Sequence, residues 1–255
     1  MANFEYHLYS YLSDNYGVLL HNKKTGDTIS IDAGEASSLL SVLKEKGWQL
    51  SHLLVTHHHA DHVAGLAEIK DKTNCKVIGP AQHSNIDGLD EKVKDGDTFS
   101  IAGSTFQVLH TPGHTLDMLN YYLPDEKVAF TGDTLFTLGC GRVFEGDASM
   151  MWNSLQKLMR LPEDTVIYSS HEYTLANAGF AVTIDPNNEQ LQQRMEKFKK
   201  MREHNQQTVP SLLADELATN PFLRAGDSAV RSNLQMPDAT DAEVFAEIRQ
   251  RKDNF

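Results

Sequence analysis

Residues 56–62 read Thr-His-His-His-Ala-Asp-His, four imidazoles and one carboxylate within seven positions. The apolar run HLLVT, from His52, leads straight into them and has the length and content of a buried strand. The cluster therefore lies at the C-terminal end of a strand, which is where mixed α/β sheets place their sites. Side chains of an extended chain alternate, so His57 and His59 point the same way and His58 points away from them. Asp61 and His62 fall in the turn and the first helical residue, where the backbone changes direction and aims them at a second position. Gathering these groups costs desolvation energy unless something charged satisfies them. A metal ion does so.

Outward from the cluster, Phe4–Leu12, Gly17–His21 and the stretch from Thr28 to Gly34 carry strand-like alternation. Glu35–Lys46 sets Leu39, Leu40 and Leu43 on one helical face, and Gly47 stops it. Val63–Ile69 reads as a helix and KVIGP as a strand, giving a βαβα rhythm. DTFSIAG and STFQVLH read as a hairpin; MLNYYLP, KVAFTGD and TVIYSSH follow as strands, with a helix over Met150–Leu161. Beyond His171 the spacing predicts no strand, only helices over Leu191–Asn205 and Asp241–Lys252. The class is α/β followed by helices, with a boundary near residue 172 that separates a domain over 1–172 from a helical domain over 173–255 packed on it.

Composition narrows the function. The chain has 255 residues, 40% hydrophobic and 23% charged, enough to bury a real core. No stretch approaches the roughly 18–20 consecutive apolar residues of a membrane span, and MANFEYHLYS lacks the basic and apolar regions of an export signal. A cytoplasmic protein with no membrane association is expected, and a monomer. Its 23 basic and 35 acidic residues give a net charge of −12, which argues against broad capture of nucleic acid and means that an anionic ligand must meet a local basic patch. Cys75 and Cys140 are expected as reduced thiols.

The cluster by itself completes no metal site, and three later strand ends offer the missing donors. His114 follows a strand in TPGHT, where Pro112 and Gly113 force a turn; Asp133 ends KVAFTGD; His171 ends TVIYSSH. Taken singly, an aspartate after a strand is a cap or turn residue, and His7, His21, His52, His83, His110 and His204 read as ordinary core or surface histidines. Taken together, seven residues divide into His57, His59 and His114 on one metal, Asp61, His62 and His171 on another, and Asp133 bridging both. Each ion then has four protein contacts and room for a shared hydroxide, whereas a structural zinc site is closed by its four ligands.

THHHADH matches the T-H-x-H-x-D-H signature of the metallo-β-lactamase superfamily, and His114, Asp133 and His171 match its later ligand motifs in order and approximate spacing. Within that superfamily GDTLF, GCGRVFEG, HEYT and the ending RQRKDNF make the chain resemble the bacterial glyoxalase II, or hydroxyacylglutathione hydrolase, family over nearly its whole length. The resemblance implies a four-layer αββα sandwich as the catalytic domain, with a binuclear site at one edge, and a C-terminal helical domain that helps bind glutathione. It implies hydrolysis of S-(2-hydroxyacyl)glutathione thioesters, chiefly S-D-lactoylglutathione to glutathione and D-lactate, the second step of methylglyoxal detoxification. Two divalent ions, zinc first and iron or manganese as alternatives, would lower the pKa of a shared water toward neutrality, with Asp61 and Asp133 positioning the hydroxide for attack on the thioester carbonyl. A thiolate leaves readily, so no general acid is assigned.

The two carboxylates of glutathione require placed cations. By resemblance, Arg142 occupies the basic position of a GCG-[KR] loop and Arg249 with Lys252 match a basic pair near the C-terminus, although helix ends favour such residues on their own account. Phe144 stands at a loop position where a tyrosine would supply a hydroxyl, and Tyr173 is a candidate glutathione contact. Asp32, in the IDAG turn, is a candidate partner for a ligand histidine as well as a plain turn residue. Cys140 is read as packing near the site without redox chemistry. Among rival readings, a glutathione persulfide dioxygenase would use one iron and need no second set from Asp61 and His171. Lactonases and RNA-processing nucleases share the first motif, but the helical tail argues against both and the charge against RNA. A diiron redox module, the non-enzymatic alternative, would call for a flavin-binding partner domain, and a pure binding protein would leave the open metal positions unexplained.

Overall fold

The alternation of the first thirty residues folds into an antiparallel meander in which β1 (Glu5–Tyr11) pairs with β2 (Asn15–His21) and β2 with β3 (Asp27–Ile31). The computed structural model describes residues 4–255. Residues 1–3, which open both the expected first domain and the stretch read for an export signal, lie outside the described residues. Two compact units emerge: one runs through His110 and includes Thr115–Gly132, and the other consists of Thr111–His114 and Asp133–Phe255.

In the first unit α1 (Ala36–Lys46), β4 (Gln49–Leu54), α2 (Ala60–Val63), α3 (Leu66–Thr73), β5 (Lys76–Pro80) and β6 (Glu91–Val93) follow the meander. Strands β3 to β6 pair in parallel and complete a six-stranded sheet in sequence order. Helix α1 ends as its sequence predicts, with Gly47 at φ 68° and its N–H directed to the last-turn carbonyls. Leu39 and Leu43 are buried in a core with Leu19, Leu53, Ile69 and Val77, and Leu40 packs partly against it. Four further strands, β7 (Thr98–Ile101), β8 (Ser104–His110), β9 (Leu119–Leu123) and β10 (Val128–Gly132), pair antiparallel in that order. The expected β7–β8 hairpin turns on Ala102 and Gly103, both at positive φ, as a two-residue turn between right-twisted strands requires.

The expected single helix over Val63–Ile69 is corrected. Helical backbone already begins at Ala60, and the run is broken at Gly65, whose N–H goes to the Ala33 carbonyl at 2.7 Å. Asp61 and His62 thus occupy a one-turn helix of their own, tied to the end of β3 by Ala33 N–H to His62 O at 2.8 Å.

The second unit contains β11 (Leu135–Phe136) and β12 (Gly139–Cys140), a tight hairpin just after Asp133, followed by α4 (Ala148–Met159) and β13 (Val166–Ser169). Then come α5 (Thr174–Ile184), α6 (Glu189–Glu203), β14 (Ser211–Leu212), α7 (Leu213–Thr219), a 3-10 turn at Pro221–Leu223, α8 (Ser228–Leu234) and α9 (Asp241–Asp253). The expectation of no strand beyond His171 is corrected by β14, which pairs antiparallel with β13. Two residues are too few to carry a periodicity. Helices α5, α7 and α8 likewise lie outside the helices that the spacing predicts. In α5, Thr174, Asn177, Ala178, Phe180, Ala181 and Ile184 are buried, so the helix has little polar face to reveal its period. By contrast α6 and α9 announce themselves through a polar face and caps, Asn188 for the first and a Thr240/Glu243 capping box for the second. Among the described residues no helix is long and apolar enough to cross a membrane.

Leu39 is the clearest test of the first core, because its side chain is wholly buried between α1 and the sheet. Leu39→Ala is expected to lower unfolding stability in urea by about 2–5 kcal/mol. A loss under roughly 1 kcal/mol would mean that α1 is not docked as described.

Candidate metal centre

In the first unit the organising group is the Asp32 carboxylate. Asp32 follows β3 directly, with φ 59°, a left-handed backbone that aspartate tolerates better than most residues. It accepts from Thr56 N at 2.8 Å and Thr56 Oγ1 at 2.9 Å, and lies 2.8 Å from His62 Nδ1. The Thr56 hydroxyl proton is therefore committed to Asp32, and His57 Nδ1, 3.0 Å from that oxygen, donates to it. His57 and His62 are both held with Nδ1 protonated and the Nε2 lone pair presented on the far side of the ring. Their centroids are 4.1 Å apart, and His59 stands edge-on to His57 at 4.8 Å. Asp61 Oδ2 lies 3.3 Å from His62 Nε2. Asn15 Nδ2 donates to the same Asp61 oxygen at 2.9 Å, and the Tyr11 hydroxyl donates to Asp61 O at 2.9 Å. His58 turns to the buried Asp117, with Nδ1 2.9 Å from Oδ1, as the alternation predicts.

The first unit thus gathers His57, His59, Asp61 and His62, and gives Asp32 the partnering role that the sequence suggested. Asn15, Tyr11, Thr56 and Asp117 were not singled out. Asn15 lies in a stretch, SDNYG, that reads as an ordinary turn, and nothing local marks it as a partner of Asp61.

In the second unit one carboxylate oxygen faces two imidazoles. Asp133 Oδ2 lies 3.3 Å from His114 Nε2 and 3.4 Å from His171 Nε2, and all three residues are buried. His114 Nδ1 donates to the Arg142 carbonyl at 2.8 Å, so its Nε2 lone pair is turned toward Asp133. Two acceptors at this distance repel unless a proton or a cation lies between them, and a divalent ion held by histidine and carboxylate fits the donor set. The loop that supplies the carbonyl doubles back tightly: a Cβ on Gly141 would stand 1.9 Å from Asp133 O, so only glycine fits. Tyr173 stacks flat on His171 at 4.7 Å, Phe136 meets His171 edge-on at 5.9 Å, and Phe144 meets His114 edge-on at 5.2 Å. Phe144 and Tyr173 are 58% and 37% exposed, so each flanks a buried imidazole while facing solvent.

Residues 18–171 match the metallo-β-lactamase superfamily model and residues 172–255 the model described as hydroxyacylglutathione hydrolase C-terminus. Over 256 aligned residues, 100% of both chains, the sequence is 52% identical to a hydroxyacylglutathione hydrolase of Rhizobium meliloti (strain 1021). The chain belongs to the hydroxyacylglutathione hydrolase family. A second relative of that name, from Bartonella tribocorum, is 52% identical over 95% of this chain and 96% of its own. Among solved structures, ETHE1 from Myxococcus xanthus superposes with a TM-score of 0.70 at 25% identity, covering 96% of this chain and 90% of that one. The fold of this hydroxyacylglutathione hydrolase family member is the α/β metallo-β-lactamase fold with a C-terminal helical region, as the resemblance implied.

The three cations named for the hydroxyacylglutathione hydrolase family come together in the second unit. Arg249 is buried, its Nη1 donating to Cys140 O at 3.1 Å and its Nη2 pairing with Asp253 Oδ1 at 2.8 Å. Arg142 is largely exposed, with Nε 3.6 Å from the same Asp253 oxygen and its guanidinium 5.8 Å from the Phe144 ring. Lys252 Nζ donates to Ala176 O at 3.1 Å and lies over the rings of Phe180 and Phe255. Burial, and then the charges of Arg249 and Arg142, push the Lys252 pKa below its ordinary value. Arg249 and Arg142 share the Asp253 carboxylate, and Lys252 lies near enough for both guanidinium charges to act on it, so basic charge gathers locally in an acidic chain.

Both cysteines are free and buried. Burial pushes the Cys140 thiol up to about 11, outweighing the opposing influence of the Arg249 guanidinium. Because the thiolate is the reactive form, alkylation of Cys140 by iodoacetamide at pH 8 is expected to be on the order of a hundredfold slower in the folded than in the urea-unfolded protein. Peptide mass spectrometry at timed quenches would measure this, and equal rates would contradict the burial of the thiol.

Proposed function

We propose that the chain hydrolyses S-(2-hydroxyacyl)glutathione thioesters, chiefly S-D-lactoylglutathione to glutathione and D-lactate, at a binuclear metal centre. The observation that carries the reading is the Asp133 oxygen facing His114 and His171 at 3.3 and 3.4 Å, in a chain 52% identical over its full length to a hydroxyacylglutathione hydrolase. Further support comes from the geometry within each unit: Asp61 Oδ2 lies 3.3 Å from His62 Nε2 beside His57 and His59 in the first, as Asp133 lies beside His114 and His171 in the second. His57, His59 and His114 would hold one ion and Asp61, His62 and His171 the other, with Asp133 touching both. Zinc is the first candidate, with iron or manganese suited to the same ligands. When bound, two such ions make water a nucleophile near neutral pH and polarise the thioester carbonyl.

The chain's own residues supply the rest. Asp32, Thr56 and the Arg142 carbonyl hold the Nδ1 protons of His62, His57 and His114, so their Nε2 atoms are available as ligands. Asn15 and Tyr11 fix Asp61. Asp61 and Asp133 are the carboxylates that orient the attacking water. Phe144 and Tyr173 flank His114 and His171 and shield them from bulk solvent. The thiolate leaves without a proton donor, so none is assigned. Arg142 and Lys252 meet the glutathione carboxylates, Arg249 supports them from the buried side through Cys140 O and Asp253, Tyr173 meets the peptide, and Phe144 contributes its ring without a hydroxyl. Residues 1–172 form the catalytic domain and 173–255 the glutathione-binding domain, a division supported by the two family-model ranges. A monomeric cytoplasmic enzyme that acts on a small molecule, with no nucleic acid or membrane partner, completes the reading; the net charge of −12 argues against broad capture of anionic partners.

The deciding assay sets protein of known metal content against S-lactoylglutathione, glutathione persulfide and a β-lactam. The thioester is expected to be turned over fastest, and no thioester hydrolysis with two metals bound would sink the reading. Asp133→Ala is expected to lower bound metal below two equivalents and kcat by at least about a hundredfold; a near-parental rate with two metals bound would defeat the bridging role.

Recognition can be separated from chemistry. Replacing Arg142 and Lys252 by alanine should raise KM for the glutathione thioester by roughly tenfold to a hundredfold, toward the lower end because Arg142 is exposed and screened. Their contacts are made equally in the ground and transition states, so kcat should hold within about twofold. Added salt should raise KM more for the parent than for the double variant. Arg249 is kept, because removing it would also release the Cys140 carbonyl. A loss of kcat at unchanged KM would remove these residues from the carboxylate-binding role.

A further inference from the structure

In the hairpin that follows Asp133, four consecutive residues each have a backbone atom held by a side chain from the helical region after His171. Asn220 Nδ2 donates to Phe136 O at 3.2 Å and to Gly139 O at 3.0 Å. Asn177 Nδ2 donates to Thr137 O at 3.1 Å, and Glu216 Oε2 accepts from Leu138 N at 2.8 Å. Leu138 sits at φ 57°, a backbone that a leucine rarely adopts and that these bonds pin in place. Glu216 is wholly buried, bonded also to Asn220 Nδ2 at 3.1 Å and paired with Arg194 at 2.7 Å. A buried ion pair is a poor source of stability, because desolvation offsets much of its attraction. Its use here serves to hold one conformation of the hairpin.

That hairpin governs three buried groups. Asp133 stands immediately before it. At its far end Gly141 N returns to Thr134 O at 3.2 Å, and the next residue, Arg142, supplies the carbonyl that accepts from His114 Nδ1. From within it, the Phe136 ring abuts His171 and, at 5.4 Å, Tyr173. A displacement of the hairpin would shift a carboxylate, a tautomer-fixing acceptor and a ring wall together.

We propose that Asn177, Glu216 and Asn220 are positioning residues for Asp133, His114 and His171, so that the C-terminal helices shape the metal centre as well as any substrate contact. The inference rests on reading those three residues as metal ligands. Outer partners of ligands alter metal affinity on the order of tenfold to a hundredfold when removed.

The test uses the full chain with zinc and cobalt(II) as probes and three variants: Asn220→Ala, Asn177→Ala and Asn188→Ala. Asn188 is the control, since it caps α6 and bonds Ala218 O at 3.0 Å without touching the hairpin. Asn220→Ala is expected to weaken zinc binding, measured by competition with a chromophoric chelator, by roughly tenfold to a hundredfold for at least one equivalent. It should also shift the visible spectrum of the cobalt protein. Asn177→Ala should act in the same direction with a smaller size, and decides the matter alone if Asn220→Ala does not fold. Asn188→Ala should lower the urea midpoint of the metal-free protein but leave zinc affinity and cobalt spectrum at parental values. Parental affinity and spectrum in the folded hairpin variants, or equal changes in Asn188→Ala, would overturn the proposal. His114→Ala separates the two levels: if it binds zinc as the parent does, or if the parent takes up none, the metal reading itself fails and this inference falls with it.

Discussion

An imidazole can offer a lone pair to one side only if its other nitrogen has a fixed use for its proton. His57, His62 and His114 all meet this condition: Thr56 Oγ1, the Asp32 carboxylate and the Arg142 carbonyl each engage an Nδ1 at 2.8 to 3.0 Å. The choice of acceptor determines where neighbouring chain must run. Asp32 reaches both Thr56 and His62 from the end of β3 with a left-handed backbone, and the Arg142 carbonyl reaches His114 because Gly141 lets its loop pass against Asp133. Backbone that looks irregular in isolation is there to satisfy proton bookkeeping at the histidines.

Within the second unit, the same economy links recognition and structure. Arg249 is buried and tied to Cys140 O and Asp253, whereas Arg142 and Lys252 remain partly open beside it. A cation fully committed to internal acceptors organises its neighbours, and a cation left half-solvated can exchange water for a ligand anion at smaller cost. The hairpin from Leu135 to Cys140 sits between these roles, with its backbone held by helical side chains and its flanking residues placed against His114 and His171.

Much of this is legible in the sequence. THHHADH at the end of an apolar run, with one donor at each of three later strand ends, names all seven candidate ligands, because alternation and strand-end position are local properties written in consecutive residues. The same locality makes α1, α4, α6, α9 and the β7–β8 hairpin readable from apolar spacing and turn residues. Elements whose residues are apolar on most sides, such as α5, or only two residues long, such as β14, carry no period and went unread.

By itself, then, the sequence determined the class of fold and marked the candidate donor residues, with their division between one strand end and the loops that follow later strands. Only tertiary structure decided which atom of each donor faces inward and what holds it there. Asn15 to Asp61, Asp117 to His58, and Asn220 to the Phe136 and Gly139 carbonyls are all bonds between residues far apart in the chain. A hydrogen bond has no sequence period: it depends on where two distant backbones bring a proton and a lone pair to within about 3 Å, and that is settled when the elements pack.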